Sequence, residues 1–169
     1  MSNTMTPLST DIKDLLVEEE IGIFAGDEDE MEGLTDADYI IFLDQMPDDN
    51  NGQYNLAICV RESGDGNMSL FLDRNNMPQY HRTAINVQVR AQTKEDAFET
   101  VNTIQTLLVS EYAVDVASTT EVCGKEIRGA YPRSLIPLGF DARGRYRYSL
   151  NLDYLWKLLP LAPDEGGGA

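Results

Sequence analysis

Histidine and cysteine are the scarcest of the residues that could do chemistry in this chain. His81 is the only histidine, and Cys59 and Cys123 are the only cysteines. A Ser/His or Cys/His nucleophile needs a base in hydrogen-bond reach, which here must be His81, and we place His81 in a polar loop beside Arg82. These residues are also too few for a Cys/His zinc site, and we interpret Cys59 as a buried free thiol. The sequence therefore predicts no enzyme, no metal and no cofactor.

Acidic residues around Asp48 are the second place where chemistry could occur. Asp48 before a strand resembles part of a metal-dependent nuclease motif, but that motif needs a lysine on the next strand, and Tyr54–Glu62 contains none. A calcium loop of the EF-hand type starting at Asp48 would need glycine at its sixth position and glutamate at its twelfth, where the chain has Gln53 and Cys59. We interpret Asp48–Gly52 as an acidic hairpin turn, because Asn-Gly is the strongest short hairpin signal.

The formal charge is strongly negative and is unevenly distributed along the chain. Thirteen lysines and arginines oppose 29 acidic residues, which gives −16. This balance argues against binding to duplex nucleic acid or to an anionic membrane, because both need a cationic surface. One acidic run is typical of a solvated loop, and it contains Asp27, Glu28, Asp29, Glu30 and Glu32. The last third instead carries a cluster of arginines, namely Arg128, Arg133, Arg143, Arg145 and Arg147. An acidic part and a basic part favour head-to-tail docking, and such contacts close into rings when the rotation permits.

Hydrophobic periodicity in the first half predicts one helix and several strands. The helix covers about residues 10–20 and is capped by Ser9 or Thr10. Strands are predicted at Tyr39–Leu43 and Tyr54–Arg61, with a further turn at Ser63–Asn67.

The second half contains the most regular patterns. A strand at Ala84–Ala91 precedes a helix capped by Thr93, and another strand is predicted at Val114–Val122. The apolar stripe of this helix consists of Ala97, Phe98, Val101, Ile104, Leu107 and Leu108. A turn at Asp141–Gly144 leads into a final strand at Arg145–Trp156. Its tyrosines at 146, 148 and 154 could stack on bases, but tyrosine is an ordinary strand former, so we favour a core face.

Two segments resemble the siphophage tail-terminator and minor capsid (tail completion) family. Asn86–Ala91, followed by a polar helix start, is similar to the family's "VQVRVRG…A" strand–helix core. Pro137–Leu152 resembles its closing motif, "PLGrDe.GRy..s.NF". The chain departs from the family where Ala91 replaces the usual glycine and Phe140 replaces a basic residue, and the acidic stretch at Asp27–Asp38 is additional.

The resemblance implies a single α+β domain. Its sheet would be mixed and mostly antiparallel, with two helices packed on one face, over residues 9–157 with an acidic loop at 26–38. A flexible N-terminus at 1–8 and a flexible C-terminal tail at 158–169 would flank it. The N-terminus has no signal-peptide pattern and no apolar stretch is long enough to span a membrane, so we expect assembly in the host bacterial cytoplasm.

The resemblance also implies a virion protein of the tail and neck. The chain would form a homo-hexameric ring that caps the tail tube protein, stops its polymerisation and joins the head–tail connector or stopper protein. DNA would pass through the lumen without specific binding, since an acidic lumen repels it. The arginine cluster would then be the candidate subunit interface, and the acidic run a lumen or docking loop. Two alternatives remain: a neck or head-completion protein, and an acidic regulatory protein in which Asp27–Glu32 mimics DNA phosphates.

Overall fold

A seven-stranded sheet with two helices forms the structure, a computed structural model that describes residues 7–26, 35, 37–47, 54–72, 78–112, 120–122 and 125–158. The helices are α1 (Leu8–Glu18) and α2 (Lys94–Tyr112). The strands are β1 (Ile23–Phe24), β2 (Ile40–Leu43), β3 (Ala57–Leu72), β4 (Pro78–Ala91), β5 (Thr120–Val122), β6 (Lys125–Phe140) and β7 (Tyr146–Leu158). Their order across the sheet is β1-β2-β3-β4-β7-β6-β5.

The first three strands are parallel to one another, and the other neighbouring pairs are antiparallel. Alternation along β4 and β7 gives the sheet one apolar face, on which Val87 of β4 lies opposite Leu150 of β7. Ile12 of α1 and Val101 of α2 belong to the same buried core as these residues. Helix α1 contacts β1–β3, and α2 contacts β4, β6 and β7. The predicted fold class, a mostly antiparallel mixed sheet with two helices on one face, is confirmed.

The strand–helix unit in the middle of the chain follows its prediction closely. The hydroxyl of Thr93 accepts a hydrogen bond from the backbone N–H of Asp96 at 3.1 Å, which caps α2. The fully buried stripe of the helix consists of Ala97, Val101, Ile104 and Leu108. Phe98 departs from the prediction, because 46% of it is exposed.

The predicted hairpin between β2 and β3 is wrong. Ile40 pairs with Ala57 and the two strands run parallel, so their connection must cross a face of the sheet instead of turning back. The described ends of this connection lie against the face opposite the helices, called the second face below, where Arg90 donates to the backbone carbonyls of Pro47 at 3.2 Å and Tyr54 at 2.8 Å. The Asp48–Gly52 segment itself lies outside the described residues.

The predicted turn at Ser63–Asn67 is also wrong, because β3 continues to Leu72. The register against β4 shifts there instead: Ser63 pairs with Ala84, and the next pair is Met68 with Arg82. Extra residues are therefore absorbed as an irregularity within one long strand. The predicted strand at Val114–Val122 is observed only at Thr120–Val122, since residues 113–119 lie outside the described part.

The start of α1 differs from the predicted Ser9 or Thr10 cap. The helix begins at Leu8 and its N-cap is Pro7, which provides no side-chain hydrogen bond. The carboxylate of Glu62 on β3 accepts the backbone N–H of Leu8 at 2.7 Å. A distant carboxylate therefore performs the capping and favours the positive end of the helix dipole.

Candidate assembly surface on the last hairpin

Strands β6 and β7 form an antiparallel hairpin that ends in the predicted turn at Asp141–Gly144. The backbone N–H of Gly144 donates to the carbonyl of Asp141 at 3.0 Å, and the N–H of Asp141 donates to the carbonyl of Arg145 at 2.8 Å. Gly139 and Gly144 both have φ of +78°, a conformation that glycine adopts without steric cost. The turn therefore depends on glycine at defined positions.

Asp141 and Arg145 fix this turn through their side chains. One carboxylate oxygen of Asp141 accepts the backbone N–H groups of Arg143 at 2.9 Å and Arg145 at 3.0 Å, and the other accepts Nε of Arg145 at 2.8 Å. Burial favours a higher pKa for Asp141, but these hydrogen bonds and the guanidinium charge outweigh it and lower the pKa. Arg145 is buried, so the structure places this predicted interface residue in an internal ion pair.

Arg147 lies directly opposite Arg90 of β4 on the second face. Two like charges at such a position are destabilising unless other groups compensate them. The carbonyls of Pro47 and Tyr54 both accept from Arg90, so carbonyl oxygen atoms supply part of that compensation. The carbonyl of Tyr54 also accepts from Arg145 at 3.4 Å, which links the β2–β3 connection to the hairpin.

Two further predicted arginines, Arg128 and Arg133, each share a carboxylate with a second cation. Arg133 and Arg82 both pair with Asp153. Arg128 and Lys157 both pair with Glu126, the lysine at 2.8 Å. Each group contains two positive charges and one negative charge. The hairpin therefore keeps a positive excess after its internal ion pairs are formed.

A chain of polar side chains crosses four strands on the second face. Nε of Arg61 on β3 donates to Asn86 of β4 at 3.0 Å. The amide of Asn86 donates to Ser149 at 2.7 Å and to Asn151 at 2.8 Å on β7, and the amide of Asn151 donates to Ser134 of β6 at 3.0 Å. Nothing in the sequence pairs these residues, because their separations reach 65 positions.

Strand β6 carries most of the large exposed hydrophobic residues of the described part. Of the five large exposed hydrophobic residues there, four lie on this strand: Tyr131 (55%), Ile136 (43%), Leu138 (40%) and Phe140 (64%). Strand β5 pairs only with Lys125–Ile127, and no other strand of the described part lies along the outer side of β6. Ile136 lies opposite Ser149 on the second face and Phe140 lies opposite Tyr146 on the face that carries the helices, so the exposed side chains lie on both sides of this strand. Large exposed apolar residues along an edge strand are a sign of a protein–protein contact.

The other predicted site residues have separate positions. Arg143 lies exposed in the turn, within the hairpin that also holds Arg145 and Arg147. Arg128 and Arg133 lie farther along β6. The acidic set of Asp27, Glu28, Asp29, Glu30 and Glu32 falls outside the described residues. The exposed apolar residues of β6 are the candidate feature that the charge pattern missed. Their exposure depends on which elements lie beside β6.

His81 and Cys59 have structural environments, whereas Cys123 lies outside the described residues. His81 is in β4, not in a loop, and its ring stacks on Trp156 with centroids 4.5 Å apart. Cys59 is buried, as predicted, and burial raises its pKa to about 11. Within the described ranges, no three His, Cys, Asp or Glu residues are grouped as a metal site requires. Neither helix in those ranges has the length and apolar character to cross a membrane.

The tyrosines of the last strand contribute to the core. Tyr148 and Tyr154 are buried among the residues that pack under the helices, which confirms the interpretation of a core face.

When the sequence is compared with models of known protein families and with curated proteins, neither comparison gives a match.

Proposed function

We propose that this chain is a tail terminator of a tailed bacteriophage. It would form a hexameric ring on the end of the tail tube, stop tube polymerisation and present a surface to the head connector or stopper protein. The observation that carries the proposal is the resemblance of Pro137–Leu152 to the closing motif of the siphophage tail-terminator and minor capsid family.

The geometry of that segment supports the resemblance. The motif's second glycine corresponds to Gly144, whose φ is +78°, and its acidic residue corresponds to Asp141, which binds the turn. Ser149 and Asn151, at its serine and asparagine positions, belong to the polar chain across the sheet. These motif residues shape the β6–β7 hairpin and its hydrogen bonds, so the resemblance to the family is a resemblance in architecture. The role in the virion follows by analogy with the family.

The charge of the chain is consistent with a ring through which DNA passes. A formal charge of −16 would repel the phosphate backbone and keep it from adhering to the lumen. A ring reconstruction in which the acidic residues face outward would contradict this role for the charge.

The test is the morphology of particles from a phage whose copy of this gene carries an early stop codon. Electron microscopy should show abnormally long tail tubes, because nothing would end their polymerisation. Tails of normal length without heads would identify a neck or head-completion protein instead. Normal virions would overturn a structural role altogether, and binding to a nuclease or repressor would then point to the acidic regulatory class.

A further inference from the structure

We propose that the outer edge of β6 in one copy of this chain contacts the acidic end of α1 in a second copy, head to tail. The inference rests on the proposed function and deepens it, because it names the two surfaces through which subunits of the ring would meet. It commits to a second copy as the occupant of the exposed edge described above.

The first surface, called the β6 edge, combines apolar and cationic side chains. It consists of Tyr131, Arg133, Ile136, Leu138, Phe140 and Arg143. Arg133 shares Asp153 with Arg82, so one carboxylate faces two cations. Residues 125–158 contain seven lysines and arginines against three acidic residues, a formal net charge of +4. This region is therefore cationic within a chain whose total charge is −16.

The second surface, called the α1 acidic surface, consists of Asp14, Glu18, Glu19 and Glu20, all exposed. Residues 7–26 contain five acidic residues against one lysine, a formal net charge of −4. Helix α1 lies over β1–β3, whereas β6 lies beyond β4 and β7 in the sheet order. The two surfaces thus carry opposite charges and belong to opposite ends of one sheet.

When one surface of each copy contacts a different surface of the next copy, the same contact can repeat from copy to copy. Such a series closes into a ring when the rotation between neighbouring copies permits. Apolar side chains at the centre with charges around them match the usual arrangement of protein interfaces. Backbone pairing along the β6 edge is disfavoured, because Pro132 and Pro137 lack N–H donors and the register of β6 shifts at three places. We therefore assign the contact to side chains.

The experiment exchanges the charges of the two surfaces. One variant carries Arg133→Glu and Arg143→Glu, and the other carries Glu18→Lys and Glu19→Lys. Wild-type chain should self-associate at low salt in analytical ultracentrifugation and dissociate as salt rises. Each variant alone should associate about 100-fold more weakly or worse, because like charges then meet across the contact. An equal mixture should regain association, because each modified surface meets its opposite charge on the other variant.

Matched variants separate this contact from general effects of charge and folding. Glu95→Lys with Glu99→Lys makes the same charge change on exposed residues of α2 and should leave association unchanged. Ile136→Ser with Leu138→Ser should weaken association at high salt as well, because apolar burial is not screened. Melting temperatures close to that of the wild type would show that the variants fold.

Three results would overturn the contact. They are a wild-type chain that stays monomeric at low salt, variants that associate as well as the wild type, and a mixture that does not regain association. None of these results changes the tail-length test of the proposed function. Conversely, the two tests can give opposite answers. If association is restored in the mixture but tails are normal in a phage without this protein, the contact stands and the terminator role is contradicted.

Discussion

Asp141 and Arg145 hold the last turn by a double contact, since the carboxylate accepts both the backbone N–H of Arg145 at 3.0 Å and its Nε at 2.8 Å. Both residues lie within the segment that resembles the family's closing motif. The same arginine reaches the carbonyl of Tyr54 at 3.4 Å, 91 positions away. The turn therefore anchors a connection from the other half of the chain as well as closing its own hairpin.

Replacing Asp141 by alanine should destabilise the fold by about 2 kcal/mol, because hydrogen bonds to a charged group are lost and Arg145 is left buried without its carboxylate. Urea unfolding measures this free energy. Asp14→Ala, at an exposed acidic position on α1, is the matched control and should change it little. Equal losses from the two substitutions would contradict the assigned role of Asp141.

The contribution of Asp141 should also depend on pH. Its pKa is lower in the folded chain than in the unfolded chain, so its stabilisation is complete above the unfolded pKa, about 4, and is lost as pH falls through the folded pKa. The stability difference between wild type and Asp141→Ala should therefore be constant near neutral pH and shrink on acidification below about 4. A difference that grows on acidification would show the opposite shift.

Gly144→Ala should destabilise the hairpin by about 1 kcal/mol, because the backbone has φ of +78°. A Cβ at this position would meet no atom within 4 Å, so the cost is conformational and not a steric clash. Gly144→Asn should cost less, because asparagine adopts this conformation more readily. Thermal unfolding of the two variants tests this order, and equal stability of Gly144→Ala and wild type would contradict it.

Glu62→Ala should destabilise α1 by about 1 kcal/mol, since the N–H of Leu8 loses its acceptor and the helix dipole loses a nearby negative charge. Glu62→Gln keeps an acceptor oxygen and should recover part of that loss. Hydrogen exchange of the first-turn amides of α1 reports the effect locally. Exchange that does not change in the alanine variant would show that Glu62 does not cap the helix.

Asn86→Ala should cost about 2 kcal/mol in unfolding free energy, because the buried amide joins β3 to β7 and its partners would lose their hydrogen bonds. Gln88→Ala, two residues along the same face of β4, provides the control. A double-mutant cycle with Asn151→Ala should show coupling, because the two amides are in direct contact. Additive effects would contradict the network.

Elements whose signals are local could be predicted from the sequence. The alternation at Ala84–Ala91, the Thr93 cap and the stripe of α2 are contained in short windows, and so is the turn at Asp141–Gly144. The interpretation of Asn-Gly as a hairpin failed because parallel pairing of β2 with β3 depends on their positions in the whole sheet. The residues that connect two strands do not determine whether those strands pair parallel or antiparallel.

The candidate site could be predicted only in part. The clustering of arginines in the last third is visible in the sequence, but their partners are not. Arg133 and Arg82 share Asp153 because β7 lies between β6 and β4, an arrangement that residue spacing does not reveal. The exposure of Phe140 and Ile136 likewise depends on the short reach of β5 along β6.

The position of β7 has a consequence for biosynthesis. This strand follows β6 in the chain, yet it lies between β4 and β6 in the sheet. The half that contains α1 and the half that contains β6 can be joined edge to edge only after the ribosome has made and released residues 146–158. A nascent chain that stops earlier leaves β4 with an open side. The synthesis of β7 thus controls when the sheet can close.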